Sequence, residues 1–292
     1  MSETTVYAVT GAKGGIGKTT TSISVASVLA AAGRSVLLVD ADLAMANVAD
    51  FLDTAFEDGT HASIHDVLAG AVGPADAIFE GPLGVEMLPC GSSLEDFAAV
   101  DARDLPALIA ALRGRGYDDI VVDTGAGLSD ATLLPVAAAD EAVVVTRPRV
   151  GSVDNAVATI DLAGRVRTPV AGVVVTDATR AAPDGDQVAD ALGVDLLGTV
   201  PRDGAVPAAQ EAGRPVLQTD PAGPAAQAYR VIARRMVEIE TPGPQAAEGP
   251  TAAPETSVPE ATAPETDDRP AADDRSVLGR VAAATVGRIS GN

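Results

Sequence analysis

Lysine is almost missing from this chain. Of its 20 basic residues only Lys13 and Lys18 are lysine, and the rest are arginine. Tryptophan is absent and aromatics make up 2% of the residues, so the core must come from Ala, Val and Leu. The single Cys90 excludes an internal disulfide and any iron–sulfur or zinc site ligated by several cysteines of one chain. It reads as a small buried hydrophobe. The two histidines, His61 and His65, are four residues apart. With no third ligand of evident placement, they read as a polar surface turn rather than a metal site. No apolar run is long enough to span a bilayer. The N-terminal stretch Met1-Ser2-Glu3-Thr4-Thr5 lacks the basic start of a secretory leader. A cytoplasmic location is therefore expected.

Positive charge is scarce overall. Against 41 acidic residues the formal net charge is −21. Such a field favours solubility and opposes non-specific contact with DNA or anionic lipid. Binding to DNA would require basic surface to neutralise phosphates, and only clustered arginines such as Arg230, Arg234 and Arg235 offer it.

Both lysines fall in one loop, Gly11-Ala12-Lys13-Gly14-Gly15-Ile16-Gly17-Lys18-Thr19-Thr20. An ammonium is a compact point charge that fits between phosphate oxygens where a flat guanidinium does not. The loop follows an apolar run, Thr5–Thr10, and opens an Ala/Ser-rich segment, Lys18–Ala32. That is the strand-to-helix context of a phosphate-binding loop. Gly14, Gly15, Ile16 and Gly17 would offer backbone N–H groups to phosphates at a positive helix end. Lys18 would bridge the β- and γ-phosphates, Thr19 would ligate Mg²⁺, and Thr20 would approach the α-phosphate. A ligand-free Gly-rich turn is the alternative.

Further continuous apolar runs at Ser35–Val39, Val85–Leu88, Asp119–Asp123, Ala142–Thr146, Val170–Thr176 and Leu196–Val200 read as strands buried on both faces. Helices are expected between them, as at Ala102–Arg113, Val153–Ala163 and Pro221–Glu240. The alternation predicts an α/β fold of three layers, doubly wound around a mostly parallel sheet, over residues 1–240. Residues 241–275, rich in Pro, Ala, Glu, Thr and Asp, read as a disordered acidic linker. Residues 276–292 form an amphipathic segment, with Val277, Leu278, Val281 and Ile289 on its apolar side and no aromatic anchor. It would meet either lipid, weakly for one copy, or a protein.

The pattern Lys-Gly-Gly-x-Gly-Lys-Thr-Thr resembles the deviant Walker A motif of the MinD/ParA family of P-loop ATPases, on its MinD-like side. The acid-rich, lysine-poor composition resembles proteins of salt-loving organisms. The family resemblance covers roughly residues 5–237. It implies ATP and Mg²⁺ as ligands, ATP hydrolysis, and a homodimer formed around ATP in which Lys13 reaches the partner's nucleotide. Leu38-Val39-Asp40-Ala41-Asp42 matches the family's Asp-x-Asp, which gives Asp40 to Mg²⁺ and Asp42 to the attacking water. Read without the family, this pair offers an N-capping Asp before the segment Leu43–Leu52. Asn47 falls in the same switch. Ile120-Val121-Val122-Asp123 matches Walker B, with Asp123 on Mg²⁺, followed by a second switch containing Gly127. Gly125 stands where the family commonly has Pro. Leu197–Val206 and Thr176-Asp177 match the base-bordering segments, so Thr176, Asp177, Pro201 and Asp203 are the candidates there. The implied activity is a switch that positions a cell-division site or polar structure through reversible membrane or partner binding, peripheral on the inner face of the cell membrane. A ParA-like partitioning ATPase on non-specific DNA is the alternative. Iron–sulfur carriers on this fold need cysteines that are absent here.

Overall fold

The computed structural model describes residues 3–45, 48–49, 51–52, 61–91, 100–127 and 130–237. Asn47, the linker and the C-terminal segment with Val277, Leu278, Val281 and Ile289 lie outside them.

Among the described residues eight strands form one sheet: β1 (Thr5–Thr10), β2 (Val36–Ala41), β3 (Phe79–Glu80), β4 (Glu86–Leu88), β5 (Asp119–Thr124), β6 (Glu141–Thr146), β7 (Val170–Ala178) and β8 (Leu196–Pro201). Their order is β3-β4-β2-β5-β1-β6-β7-β8. All neighbours are parallel except the short β3, which runs antiparallel to β4 at the edge. The α-helices are α1 (Lys18–Ala31), α2 (Ile64–Leu68), α3 (Leu105–Arg113), α4 (Asp130–Ala138), α5 (Val150–Arg165), α6 (Gly185–Leu192), α7 (Ala205–Glu211), α8 (Val216–Thr219) and α9 (Pro224–Val237).

The two-residue period of the strands sorts the core into two layers. Tyr7, Val9, Leu38, Val121 and Val174 pack on α1 and α9. Val6, Leu37, Val39, Ile120 and Val122 pack on α3 from the opposite face. Helix α1 is buried along most of its length despite six Ser and Thr in its first ten residues. Its small hydroxyls find acceptors close by: Ser27 donates to the Ile23 carbonyl at 2.7 Å, and the Ser22 hydroxyl lies 3.1 Å from the Lys18 carbonyl and 2.8 Å from Asp123 Oδ1. Bonded this way, most small polar residues pack against a sheet without stranding a donor, Thr21 being the buried hydroxyl without a partner among the described residues.

Strand and helix ends differ from the sequence expectation where backbone bonding outlasts the apolar run. β2 continues through Asp40 to Ala41 because β5 pairs with it that far. β7 continues to Ala178, which carries Thr176 and Asp177 within the strand. The C-terminal helix begins at Pro224 rather than Pro221, because residues 220–223 form a turn closed by the Gly223 N–H donating to the Asp220 carbonyl at 3.1 Å. Chain order reverses across β1, which has β5 on one side and β6 on the other. The crevice at the carboxyl ends of such strands is where doubly wound sheets bind ligands.

Arg34, just after α1, forms a two-pronged ion pair with Asp119, whose side chain is fully buried at the start of β5. Arg34→Ala should lower stability in urea unfolding by roughly 3 kcal/mol, near the lower end for stranding a buried charge because Arg34 is partly exposed. A loss near zero would mean that water reaches Asp119.

Candidate nucleotide-binding site

The loop between β1 and α1 is pinned at its root and open at its crown. A side chain at Gly11 would meet Ile16 Cδ1 at 2.6 Å and the Val145 carbonyl at 2.8 Å, so only glycine lets the loop settle onto β6. At Gly14 and Gly15 a Cβ would meet nothing within 4 Å. Gly17 caps α1 with φ 95°, a left-handed turn that glycine adopts without strain. The Thr176 hydroxyl donates to the Ile16 carbonyl at 2.6 Å, tying β7 to the loop.

Lys18 is 8% exposed. Its ammonium approaches the Lys13 carbonyl at a long 3.5 Å. Burial pushes its pKa down, and the nearby carboxylates of Asp123 and Asp42 work against that. A desolvated cation whose partners do not fully compensate it is suited to an incoming anion.

The matching acids sit on the α1 face of the sheet. Asp40 and Asp123 are cross-strand partners in β2 and β5, and both are fully buried. Ser22 donates to Asp123 Oδ1 at 2.8 Å, while Oδ2 has no hydrogen-bond partner among the described residues. Burial raises the Asp123 pKa to about 6, against the pull of the Thr19 and Ser22 hydroxyls and Lys18. An orphaned, buried carboxylate oxygen beside a threonine hydroxyl is the donor set a hydrated Mg²⁺ takes, so these residues fit that ion. Asp40 is placed differently. Its oxygens accept the Asp42 N–H at 3.2 Å and the Val48 N–H at 3.0 Å, fastening the loop after β2 to the strand.

Asp42 is half-buried at the cavity wall, and its Oδ1 accepts the Met45 N–H at 3.3 Å. A Cβ on Gly125 would lie 3.0 Å from that oxygen. The departure from proline at this position thus gives the Asp42 carboxylate room between the two switch segments.

A cavity of about 830 Å³ brings together Gly14, Gly15, Ile16, Gly17, Lys18, Thr19, Thr20, Asp42, Thr176, Asp177, Pro201 and Asp203. At its far end Arg202 grips Asp177 at 2.7 and 3.1 Å, with Arg149 at 3.4 Å and Arg147 at 3.8 Å. The Asp177 pKa is lowered, first by the Arg202 hydrogen bonds. Asp203 accepts from Ala205 N and Ala225 N, joining the starts of α7 and α9. Lys13 lies exposed at the crown and pairs with no carboxylate among the described residues. Gly127 follows Asp123 in the second switch with φ 106°.

Residues 7–216 match the CobQ/CobB/MinD/ParA nucleotide binding domain. The chain belongs to this family. An uncharacterized ATP-binding protein of Methanocaldococcus jannaschii is 34% identical over 232 residues, 79% of this chain and 86% of that protein. The septum site-determining protein MinD of Pyrococcus horikoshii, solved with Mg-ADP, superposes with a TM-score of 0.76 at 28% identity, covering 80% of this chain and 96% of that one. MinD of Aquifex aeolicus, solved in a MinC:MinD complex, gives 0.72 at 27% identity over 82% and 97%. The protein is thus a MinD/ParA-family P-loop ATPase, and among the described residues no helix is long and apolar enough to cross a membrane.

Several participants escaped the sequence reading. Ser22 sits one helical turn beyond Lys18, a spacing that would have revealed it. Gln210, which donates to the Thr20 hydroxyl at 2.7 Å, is 190 residues away and gave no local signal. Arg147 and Arg202 are single residues on separate strand ends. The histidines correct the expectation of a surface turn: His61 is exposed before α2, whereas His65 is buried within it, at 1% exposure.

The raised Asp123 pKa has a measurable consequence. The folded protein keeps this proton where the unfolded chain, near 3.8, has released it. The resulting stabilisation is complete below about pH 4 and is lost as pH rises through about 6. In nucleotide- and metal-free protein, Asp123→Asn should be more stable than wild type at pH 7.5 by up to ~3 kcal/mol. At pH 4 the two should be nearly equal. Equal stabilities at both pH values would show that the carboxylate is solvated.

Proposed function

We propose that this protein is an ATP hydrolase that works as an ATP-driven dimerisation switch of the MinD-like kind. The observation that carries the reading is Lys13. It is exposed at the crown of a loop whose own cavity already holds the buried Lys18. A second lysine there is placed to serve a nucleotide other than its own.

In this reading the loop amides and Lys18 bind the phosphates of ATP, with Pro201, Asp203 and the Thr176-Asp177 strand end bordering the nucleoside. Thr19 and Asp123 would hold Mg²⁺, which when bound supplies charge neutralisation at the phosphates, while Asp40 holds the switch from behind. Asp42 orients the attacking water and takes its proton, as a half-buried carboxylate at the cavity wall can. Lys13 of a second copy meets charge developing on the transferred phosphoryl group, and Asn47 and Gly127 lie in the adjoining switches. Hydrolysis removes the γ-phosphate and with it the reason to remain dimeric.

The output would be reversible engagement of a membrane surface or polar protein partner through residues 276–289 at the inner face of the cell membrane. The structure of a MinC:MinD complex supports a partner-reading role for such a dimer. The DNA-bound alternative is weaker. Arg230 and Arg235, which a basic patch would require, donate to the Pro221 carbonyl at 2.6 Å and the Leu196 carbonyl at 2.7 Å of their own domain.

Light scattering in high KCl should show a dimer with ATP and a monomer with ADP. Lys13→Ala should stay monomeric with ATP and lose single-turnover hydrolysis by about 10³-fold, the lower bound for a cation acting in trans. A Lys13→Ala protein that dimerises and hydrolyses normally would refute the reading. Liposome co-sedimentation that requires ATP and vanishes on deleting residues 276–292 would assign the membrane role. Equal binding with ATP and ADP would count against it.

A further inference from the structure

We propose that His65, supported by Cys90, is a positioning residue for hydrolysis, holding Asp42 in place through the main chain of the first switch. The proposal rests on the reading of Asp42 as the group that orients water. Neither His65 nor Cys90 lines the nucleotide cavity.

The two side chains come from separate segments that local bonds bring together. Ser63 and Asp66 form a capping box that starts α2, with the Ser63 N–H donating to Asp66 Oδ2 at 2.8 Å. The Ile64 N–H donates to the Pro89 carbonyl at 2.8 Å, fixing α2 to the chain just after β4. His65 and Cys90 then lie side by side, with Sγ 3.6 Å from Nε2 and each 1% exposed.

Their contacts converge on two consecutive peptide units. His65 Nε2 donates to the Leu43 carbonyl at 3.0 Å, and the Cys90 thiol donates to the Asp42 carbonyl at 3.5 Å. From the other side, Asp40 accepts the Asp42 N–H. Asp40 holds the peptide group before Asp42, Cys90 the one after it, and His65 the next, after Leu43, so that the chain leaving Asp42 is held over two successive units and the carboxylate beside Gly125 moves mainly by its side-chain torsions. The other imidazole nitrogen, Nδ1, has no hydrogen-bond partner among the described residues. An apolar side chain would fill this buried place and remove the unbonded Nδ1, at the cost of leaving the Leu43 carbonyl without this donor. What only the imidazole adds is a rigid donor aimed at Leu43. A carboxylate that must meet a water within a few tenths of an ångström depends on such a brace, because small misplacements of reacting groups carry large rate penalties.

The test uses full-length protein, single-turnover ATP hydrolysis and Mg-ADP binding. His65→Phe should lower the hydrolytic rate constant about 10-fold while KM for MgATP and affinity for Mg-ADP stay within about twofold. His65→Gln, whose amide N–H reaches the same carbonyl, should recover most of that loss. In an Asp42→Ala background His65→Phe should have no further effect, because the group it positions is gone. If His65→Phe does not fold, the same cycle run with Cys90→Ala should show a loss of about threefold, smaller because a thiol is a weak donor. Wild-type rates in both single variants, or an equal loss with and without Asp42, would overturn the proposal. Absence of hydrolysis by the wild-type protein would remove the preceding reading and this one with it. A wild-type enzyme that hydrolyses ATP at a rate indifferent to His65 removes this one alone.

Discussion

Lys18 at the start of α1 and Asp123 on β5 are near enough to influence each other's charge, both taken out of water and neither fully satisfied. Burial drives the lysine's pKa down and the aspartate's up, so each side chain is pushed toward its neutral form. Their mutual attraction only partly offsets this, and Asp123 Oδ2 remains without a hydrogen-bond partner among the described residues. Two under-compensated opposite charges would be poor design for stability alone. They are suited to a ligand that brings both signs at once, anionic phosphates for Lys18 and a divalent cation for Asp123.

Much of the architecture serves to hold that pair dry and correctly separated. The strand pleat places Asp40 and Asp123 on the α1 face, and their shared register fixes their spacing. Ser22 anchors one Asp123 oxygen and leaves the other open. Thr176 ties the phosphate loop to β7, and Gly11 lets the loop settle on β6. The same economy extends outward. Asp40 holds the Asp42 N–H while His65 and Cys90 hold the Leu43 and Asp42 carbonyls, so the main chain just after β2 is fastened on both sides of Asp42.

The parts legible in the sequence were those coded by contiguous residues. The loop Gly11–Thr20 announced itself because the Gly and Lys spacing, the preceding apolar run and the following helix all fall within about 25 positions. Continuous Val-rich runs marked the parallel strands and hence the layered fold. The two-residue β3 was too short to leave a pattern, and five-residue α2 was hidden by its neighbours. The Asp177–arginine cluster draws on the ends of β6, β7 and β8, and the His65–Cys90 brace on residues 25 apart. Such constellations depend on sheet order, which no local pattern specifies. Thr176 shows how the chain can carry a second meaning: singled out as a base contact, its hydroxyl is used to hold the loop.

The most direct test of the account is thermal stability of the nucleotide-free protein titrated with ADP, with and without Mg²⁺. If Lys18 and Asp123 form one unfinished charge pair, ADP with Mg²⁺ should raise the melting temperature clearly more than ADP with chelator, and Asp123→Asn should abolish that difference while keeping the response to ADP alone. Equal stabilisation by ADP in the presence and absence of Mg²⁺ in the wild-type protein would contradict it.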